Sequence, residues 1–213
     1  MYLFSRSTSV AGARVRDAMG WAASVTARVN QVGGLGVGLW SQTFSPGLGT
    51  LVWSTVVADL ATLEAANDKL MVDDGYLELV DAGREHVLAG STDDYLGAVI
   101  YFQGDPNRPA EYATVARTTI AAGNLARGVA LGVEISQRAE QITGLPTMFT
   151  ADVTGNYGGV AWLSGYADVA ELERASQALN SNPEFVELLD SNAPGVYANH
   201  PGASTQTIYR HIV

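Results

Sequence analysis

Three histidines are the side chains of this sequence best suited to acid–base chemistry, because imidazole titrates close to neutral pH. They are His86, His200 and His211, and no two of them are four residues apart as in a helical metal-binding pair. We predict that His86 and His211 lie in the last strands of two similar halves of the chain, as candidate catalytic bases. The alternative for each is an ordinary strand histidine. His200, within ANHPG, is predicted to lie in a loop.

Two tryptophans, Trp53 and Trp162, lie in apolar segments typical of β-strands. Alternate residues of a strand share a face, so Trp162 lies on the same face as Ser164 and Tyr166. Ligand pockets are mostly apolar with a few polar groups. We therefore predict that Trp53, Trp162, Ser164 and Tyr166 line a cavity for an apolar or aromatic compound. In the alternative interpretation, both tryptophans only fill the core between a sheet and its helices.

The glycine-rich stretch QVGGLGVGLW occupies residues 31–40. It resembles a phosphate-binding loop, but Gly34 and Gly36 are not followed by the third glycine of the dinucleotide fingerprint, nor by a P-loop lysine. We predict a strand instead, in which Gly36 and Gly38 share a face without side chains. Such a face admits a close neighbour, either a helix or a ligand. A single pocket would then lie in the first half of the chain.

The sequence indicates no metal site. Cysteine is absent, which excludes disulfides, thiolate nucleophiles and cysteine-based zinc sites. The acidic pairs Asp73-Asp74 and Asp93-Asp94 lack the ligand alternation of a calcium loop. We predict that these pairs are solvated turns and helix caps.

The composition is that of a soluble globular protein. Of the 213 residues, 47% are hydrophobic and 16% are charged, so there is material for a large core. The formal net charge of −10 argues against nucleic acid and anionic membranes as partners. No signal peptide and no apolar stretch long enough to span a membrane is visible, so we predict a cytoplasmic location.

An internal repeat is the strongest pattern in the chain. Residues 53–81 align without a gap on residues 162–190, and eleven of the 29 positions are identical. Asp59 and Asp168 are among these, and each is predicted to cap the N-terminus of a helix, with Glu171 completing a capping-box pattern.

Each copy is predicted to contain four strands and two helices. In the first copy these are a strand at 2–8, a helix at 10–32, strands at 34–44 and 51–58, a helix opened by Asp59 and a strand at 84–89. In the second they are a strand at 97–103, a helix at 110–142, strands at 145–154 and 158–166, a helix from 169 and a strand at 206–212. The fold class is α+β, with two ferredoxin-like βαββαβ repeats fused in one chain. The predicted domains are residues 1–92 and 93–213.

Two insertions distinguish the second copy: residues 104–112 and residues 192–205. Long loops in otherwise compact repeats are often functional. Whether these loops cover a site or are plain surface excursions stays open.

A tandem βαββαβ chain of this length resembles the dimeric α+β barrel superfamily, which includes NIPSNAP-like, EthD-like and antibiotic-biosynthesis-monooxygenase-like proteins. The resemblance rests on the topology, on the repeated Trp-x5-Asp step from strand to helix, and on NSNPEFVELL after the second such helix. It implies a pseudo-dimeric barrel formed within one chain, and it specifies fold more than activity.

The resemblance implies a small-molecule enzyme or ligand-binding protein that oxygenates or isomerises an apolar or aromatic compound without a cofactor. One alternative is a non-catalytic structural or assembly protein with no ligand cavity. Another is a haem-binding barrel protein. A homo-oligomer is compatible with each.

Overall fold

The computed structural model of the chain describes residues 1–11, 15–46, 49–106 and 108–213 and confirms the α+β class. These residues contain eight strands and six helices, and the order strand, helix, strand, strand, helix, helix, strand occurs twice. The chain divides into two compact units, residues 1–96 with 209–213 and residues 97–208. No described helix is both long enough and apolar enough to cross a membrane.

The first unit is a sheet with helices packed on one face. Its elements are β1 (Tyr2–Ser9), α1 (Val15–Gly33), β2 (Gly38–Thr43), β3 (Thr50–Val57), α2 (Leu60–Met71), α3 (Asp74–Ala82) and the start of β4 (Asp93–Tyr101). β3 is the central strand, because it is antiparallel to both β1 and β2. Burial alternates along β3, and its buried residues Leu51 and Trp53 pack against Ala18 and Ala22 of α1. These small alanines allow the helix to approach the sheet closely.

The second unit repeats this arrangement. Its remaining elements are β5 (Tyr112–Thr119), α4 (Leu125–Thr143), β6 (Thr147–Asp152), β7 (Gly159–Tyr166), α5 (Val169–Ser181), α6 (Pro183–Asn192) and β8 (Thr205–His211). The strand order is β5, β7, β6, β4, with all neighbours antiparallel. Phe149 of β6 is fully buried over Gly132 of α4, where any Cβ would overlap its ring. Glycine at this position therefore sets the distance between helix and sheet.

The helix caps follow local sequence signals. Asp59 accepts a hydrogen bond from the Thr62 amide, and Asp168 accepts one from the Glu171 amide, as predicted. Glu171 in turn accepts from the Ala167 amide, one residue before the capping position. The helices α2 and α5, which these aspartates cap, are each followed by a short helix, α3 or α6. These short helices were not predicted as separate elements.

Three of the predicted element positions are wrong. Residues 84–89 are not a strand, because a 3-10 turn occupies Gly83–Glu85 and Val87 forms only an isolated bridge to Val10. Residues 97–103 do not open the second repeat, since most of them belong to β4, the last strand of the first. The predicted helix at 110–142 is two elements, β5 and α4.

The glycine-rich stretch is also only partly a strand. Gly34 and Gly36 lie in the connection between α1 and β2 with φ of 71° and 63°, a left-handed conformation that favours glycine. Strand β2 begins at Gly38. The prediction that Gly36 and Gly38 share a strand face is therefore wrong.

Candidate functional site

The second unit holds a partly open cavity of about 750 Å³ between its sheet and its helices. This volume lies within the range of roughly 300–1,000 Å³ typical of small-molecule sites. The sheet contributes residues of β5, β6 and β7, and the opposite side comes from α4, α5 and α6. The predicted site residues Trp162, Ser164 and Tyr166 all line it.

Trp162 forms the aromatic wall of this cavity. Its indole N–H donates to the Gly132 carbonyl at 2.9 Å. The ring lies 5.2 Å from the ring of Phe149 and 5.6 Å from that of Tyr197, the latter edge-on. Aromatic pairs at these separations add to the stability of the packing. Trp162 is thus held in one orientation and still presents part of its surface to the cavity.

Hydroxyl groups form the polar part of the same lining. Thr114 and Tyr166 are hydrogen-bonded at 3.0 Å, as are Thr147 and Ser164. Each of these hydroxyls keeps spare acceptor capacity. Two charged residues also contribute to the described lining. Asp190 is exposed, and Arg117 lies on β5 between Ala116 and Thr118. The other polar side chains of the described lining are neutral at neutral pH.

The insertion at residues 192–205 closes one side of the cavity. Its Tyr197 is buried and donates its hydroxyl to the Gly128 carbonyl of α4 at 2.8 Å. Burial raises the pKa of Tyr197 well above that of a free phenol, so the hydroxyl stays protonated. Backbone bonds join Val196 to Ala121 and Ala198 to Thr119. This loop is a fixed wall of the cavity and not a loose surface excursion.

The first unit holds a cavity of its own, of about 690 Å³, at the corresponding place. Trp21 and Trp53 line it with ring centroids 5.7 Å apart and planes at 84°. Trp21 donates to the Leu79 carbonyl at 2.7 Å, and Trp53 donates to the Thr26 hydroxyl at 3.0 Å. The first half thus has room for a pocket, as expected, but the second unit has a cavity as well, so the pocket is not a single one.

An ion pair lies in the wall of this first cavity. Arg6 of β1 donates its Nε and Nη2 groups to the two carboxylate oxygens of Asp94 at 2.7 and 2.8 Å. The hydrogen bond to Asp94 is the main cause of a raised Arg6 pKa, and Tyr76 contributes in the same direction. Sequence analysis missed Arg6. The available signal was its place on the same face of β1 as Phe4 and Thr8, which also line the cavity.

The two candidate catalytic histidines are not at equivalent positions. His86 follows the 3-10 turn and stacks on Trp21 at 5.7 Å, with its Nδ1 buried and unpartnered among the described residues. His211 lies in β8 as predicted, and its ring is 4.7 Å from that of Trp40. Neither is among the described residues that line a cavity. Their role as bases stays a prediction.

The two candidate glycines also lie away from the cavity linings. Gly36 has open space where a side chain would be, and a Cβ on Gly38 would lie 3.2 Å from the Trp40 nitrogen and 3.4 Å from His211. The absence of a side chain at Gly38 therefore makes room for Trp40 and His211. Ligand binding by Gly36 and Gly38 stays a prediction.

The described linings of the two cavities contain few side chains of the types that bind a metal or a haem. No cluster of three or more metal-binding side chains occurs within the described part of the chain. Haem iron is held by histidine, cysteine, methionine or tyrosine. Of these types, the described linings include only tyrosine: Tyr166 and Tyr197 in the second unit and Tyr76 in the first. Tyr166 and Tyr197 are each hydrogen-bonded within the protein.

No protein-family model matches the chain, and no curated protein matches its sequence. Solved structures match its fold over the whole length. A candidate monooxygenase from Fusobacterium nucleatum has a TM-score of 0.73 at 10% identity, covering 100% of this chain and 92% of that chain. An anthrone oxidase-like protein has a TM-score of 0.67 at 9% identity, with 100% and 91% covered.

A haem-binding protein from Thermus thermophilus also matches, with a TM-score of 0.55 at 11% identity, covering 100% of this chain and 91% of that chain. Likeness at such low identity shows the fold alone. The chain shares its fold with these solved structures, which agrees with the resemblance noted from its sequence. Its structural neighbours include monooxygenase-like and haem-binding proteins.

Proposed function

We propose that the protein binds an apolar, aromatic small molecule in the cavity of its second unit and oxygenates it without a cofactor. The observation that carries this proposal is the cavity of about 750 Å³ with Trp162 on one side and the hydroxyls of Ser164 and Tyr166 beside it. A flat ring system would stack against the indole, while an oxygen of the ligand would hydrogen-bond to the neutral hydroxyls. The residue directly opposite Trp162 in the sheet is Ala116, which offers a charged ligand no counter-ion.

The neutral lining restricts the chemistry. Apart from Asp190 and Arg117, the described lining carries no side chain that is charged at neutral pH. The substrate must then supply an acidic C–H bond and the electrons itself. Anthrone has this property: its methylene group loses two hydrogens as anthrone and O2 become anthraquinone and water. The protein would exclude water, orient the ring against Trp162 and hydrogen-bond the carbonyl oxygen through Ser164 or Thr147.

The likeness to an anthrone oxidase-like protein makes anthrone a suitable first test substrate. The candidate monooxygenase with a TM-score of 0.73 supports the same class of reaction. The alternative of a structural or assembly protein requires that ligand-sized cavities be absent. The cavity in each unit therefore supports ligand binding over this alternative.

We also propose that the chain arose by fusion of two ferredoxin-like repeats, at residues 1–92 and 93–213. Together these repeats would form one pseudo-dimeric barrel. The recurring element order supports it. So do the matching caps Asp59 and Asp168, which lie 109 residues apart and both accept from the amide three residues ahead.

An anaerobic titration followed by tryptophan fluorescence tests the site. Anthrone should quench the wild-type protein and Trp53→Phe, but quench Trp162→Phe weakly. Ala116→Phe, which fills the cavity beside Trp162, should abolish binding. Admission of air should then consume one O2 per anthrone with the wild type, faster than without protein. Quenching that survives in Trp162→Phe and in Ala116→Phe would contradict the proposal.

A further inference from the structure

We propose that the cavity of the first unit is a second ligand site, selective for an aromatic compound that carries a carboxylate, which pairs with Arg6. The two cavities of the chain would then accept ligands of different charge. This site is separate from the one assigned above and does not depend on its chemistry.

The apolar part of this cavity suits an aromatic ring. Trp21 and Trp53 meet at nearly a right angle and form two sides of a corner. Both indole N–H groups are already bonded within the protein, to Leu79 and Thr26. The tryptophans therefore offer the ligand a fixed apolar surface.

Arg6 is placed beside that surface by strand register. In the β1–β3 pair, Arg6 is directly opposite Trp53, so the two side chains lie on the same face of the sheet. Its bonds to Asp94 use Nε and one terminal nitrogen, and Tyr76 also hydrogen-bonds the guanidinium, which leaves at most two of its five N–H donors for a ligand. Both side chains are partly open, with 43% and 47% of their surfaces exposed. A carboxylate on the ligand can reach the guanidinium from the cavity.

Asp94 has two opposing effects on such a ligand. Without ligand, it compensates the charge of Arg6 at the wall of an apolar cavity. With ligand, it competes for the same guanidinium. The other basic residue of the described lining, Arg84, is paired with Asp81 at 2.8 Å, and Glu64 is exposed. Arg6 is thus the cation directly opposite the tryptophan.

The second unit provides a natural comparison. In the β5–β7 pair, the residue opposite Trp162 is Ala116, where the first unit has Arg6 opposite Trp53. The matching positions next to the two tryptophans therefore carry a methyl group in one cavity and a guanidinium in the other. This difference predicts that a carboxylate binds more tightly in the first cavity than in the second, where Arg117 lines the cavity but is not opposite the tryptophan.

The test uses two probes of the same shape, 2-anthracenecarboxylate and the neutral 2-anthracenecarboxamide. Binding is read as energy transfer from tryptophan to anthracene in a Trp162→Phe background, where Trp21 and Trp53 remain as the cavity reporters. Arg6→Met should weaken carboxylate binding about tenfold or more and leave carboxamide binding within about twofold. Asp94→Asn should strengthen carboxylate binding, since the competing carboxylate is removed.

The opposite effects of Arg6→Met and Asp94→Asn on carboxylate binding distinguish ligand recognition from a structural role of the ion pair. If the ion pair only supports the fold, Arg6→Met and Asp94→Asn will weaken both probes alike, which would overturn the inference. The inference would also be overturned if Arg6→Met left the energy transfer to 2-anthracenecarboxylate unchanged. Carboxamide binding to the second unit, measured in a Trp21→Phe, Trp53→Phe background, checks that each variant is folded and tests the proposed function separately.

Discussion

The indole N–H of Trp53 donates to the hydroxyl of Thr26 at 3.0 Å, and that hydroxyl donates a hydrogen bond to the Ala22 carbonyl at 2.8 Å. The matching tryptophan of the second unit, Trp162, bonds the Gly132 carbonyl directly. Ser136, which lies 110 residues after Thr26, is fully buried, and its hydroxyl has no partner among the described residues. Two equivalent tryptophans are therefore fixed to their helices in different ways.

This difference predicts opposite effects of removing the two hydroxyls. Thr26→Val leaves the Trp53 N–H buried without an acceptor, and we expect a loss of about 1–3 kcal/mol in unfolding free energy. Ser136→Ala removes an unpartnered buried hydroxyl, and we expect no loss or a small gain. Denaturant unfolding measures both. A loss of similar size in the two variants would contradict the hydrogen-bond assignment.

Gly132 sets the packing of α4 on the sheet, because a Cβ there would overlap the Phe149 ring. We expect Gly132→Ala to destabilise the protein by about 1–3 kcal/mol or more through overpacking. The matched control is Gly20→Ala, at an exposed position of α1 where nothing lies within 4 Å of an added Cβ. That change should stabilise by about 0.5–1 kcal/mol. Thermal melts of the pair test the prediction, and equal shifts would refute it.

Asp73 links α1 to the start of α3. It accepts from Arg28 at 2.7 and 2.6 Å and caps the Tyr76 amide at 2.8 Å. The hydrogen bonds from Arg28 are the main cause of a lowered Asp73 pKa. Because the folded-state pKa lies below the unfolded value of about 3.9, the stabilisation is present above that pH and is lost as pH falls through the folded-state pKa.

We therefore expect Asp73→Asn to lower the melting temperature at pH 7, and the difference from wild type to close in acid below about pH 4. Asp74→Asn, one residue away and without the arginine contact, is the control and should have a smaller effect. A wild-type advantage over Asp73→Asn that persists unchanged at pH 2 would show that the ionised carboxylate is not what stabilises this contact.

The loop at residues 192–205 depends on Tyr197 for its attachment to α4. Removing its hydroxyl in Tyr197→Phe should cost about 1 kcal/mol and weaken ligand binding in the second cavity, since the wall is loosened. Tyr157→Phe is the control, because Tyr157 is 91% exposed. Binding titrations of the two variants should differ. Unchanged binding in Tyr197→Phe would mean that the loop does not shape the site.

Local signals in the sequence predicted much of the fold. The caps Asp59 and Asp168 are set by hydrogen bonds to amides three residues ahead, which short-range patterns record. The alternation in β7 likewise placed Trp162, Ser164 and Tyr166 on one face, and all three line the cavity. A strand face is decided by residues two apart, so no distant contact is needed to find it.

The missed features depend on contacts that are distant in sequence. Arg6 and Asp94 are 88 residues apart, and neither has a local pattern that marks it as half of a pair. Strand β5 is a different case. It lies inside the predicted helix at 110–142, although Tyr112, Val115 and its three threonines are residue types that favour strands. The local signal was therefore present in the sequence, and the antiparallel pairing with β7 agrees with it.

The most direct test of the central claim is a crystal structure of the protein grown anaerobically with anthrone. We expect electron density for the ligand between Trp162 and the hydroxyls of Ser164 and Tyr166, with the loop at 192–205 closed over it. Density confined to the first unit, or a second-unit cavity filled by its own side chains while anthrone is bound elsewhere, would contradict the account.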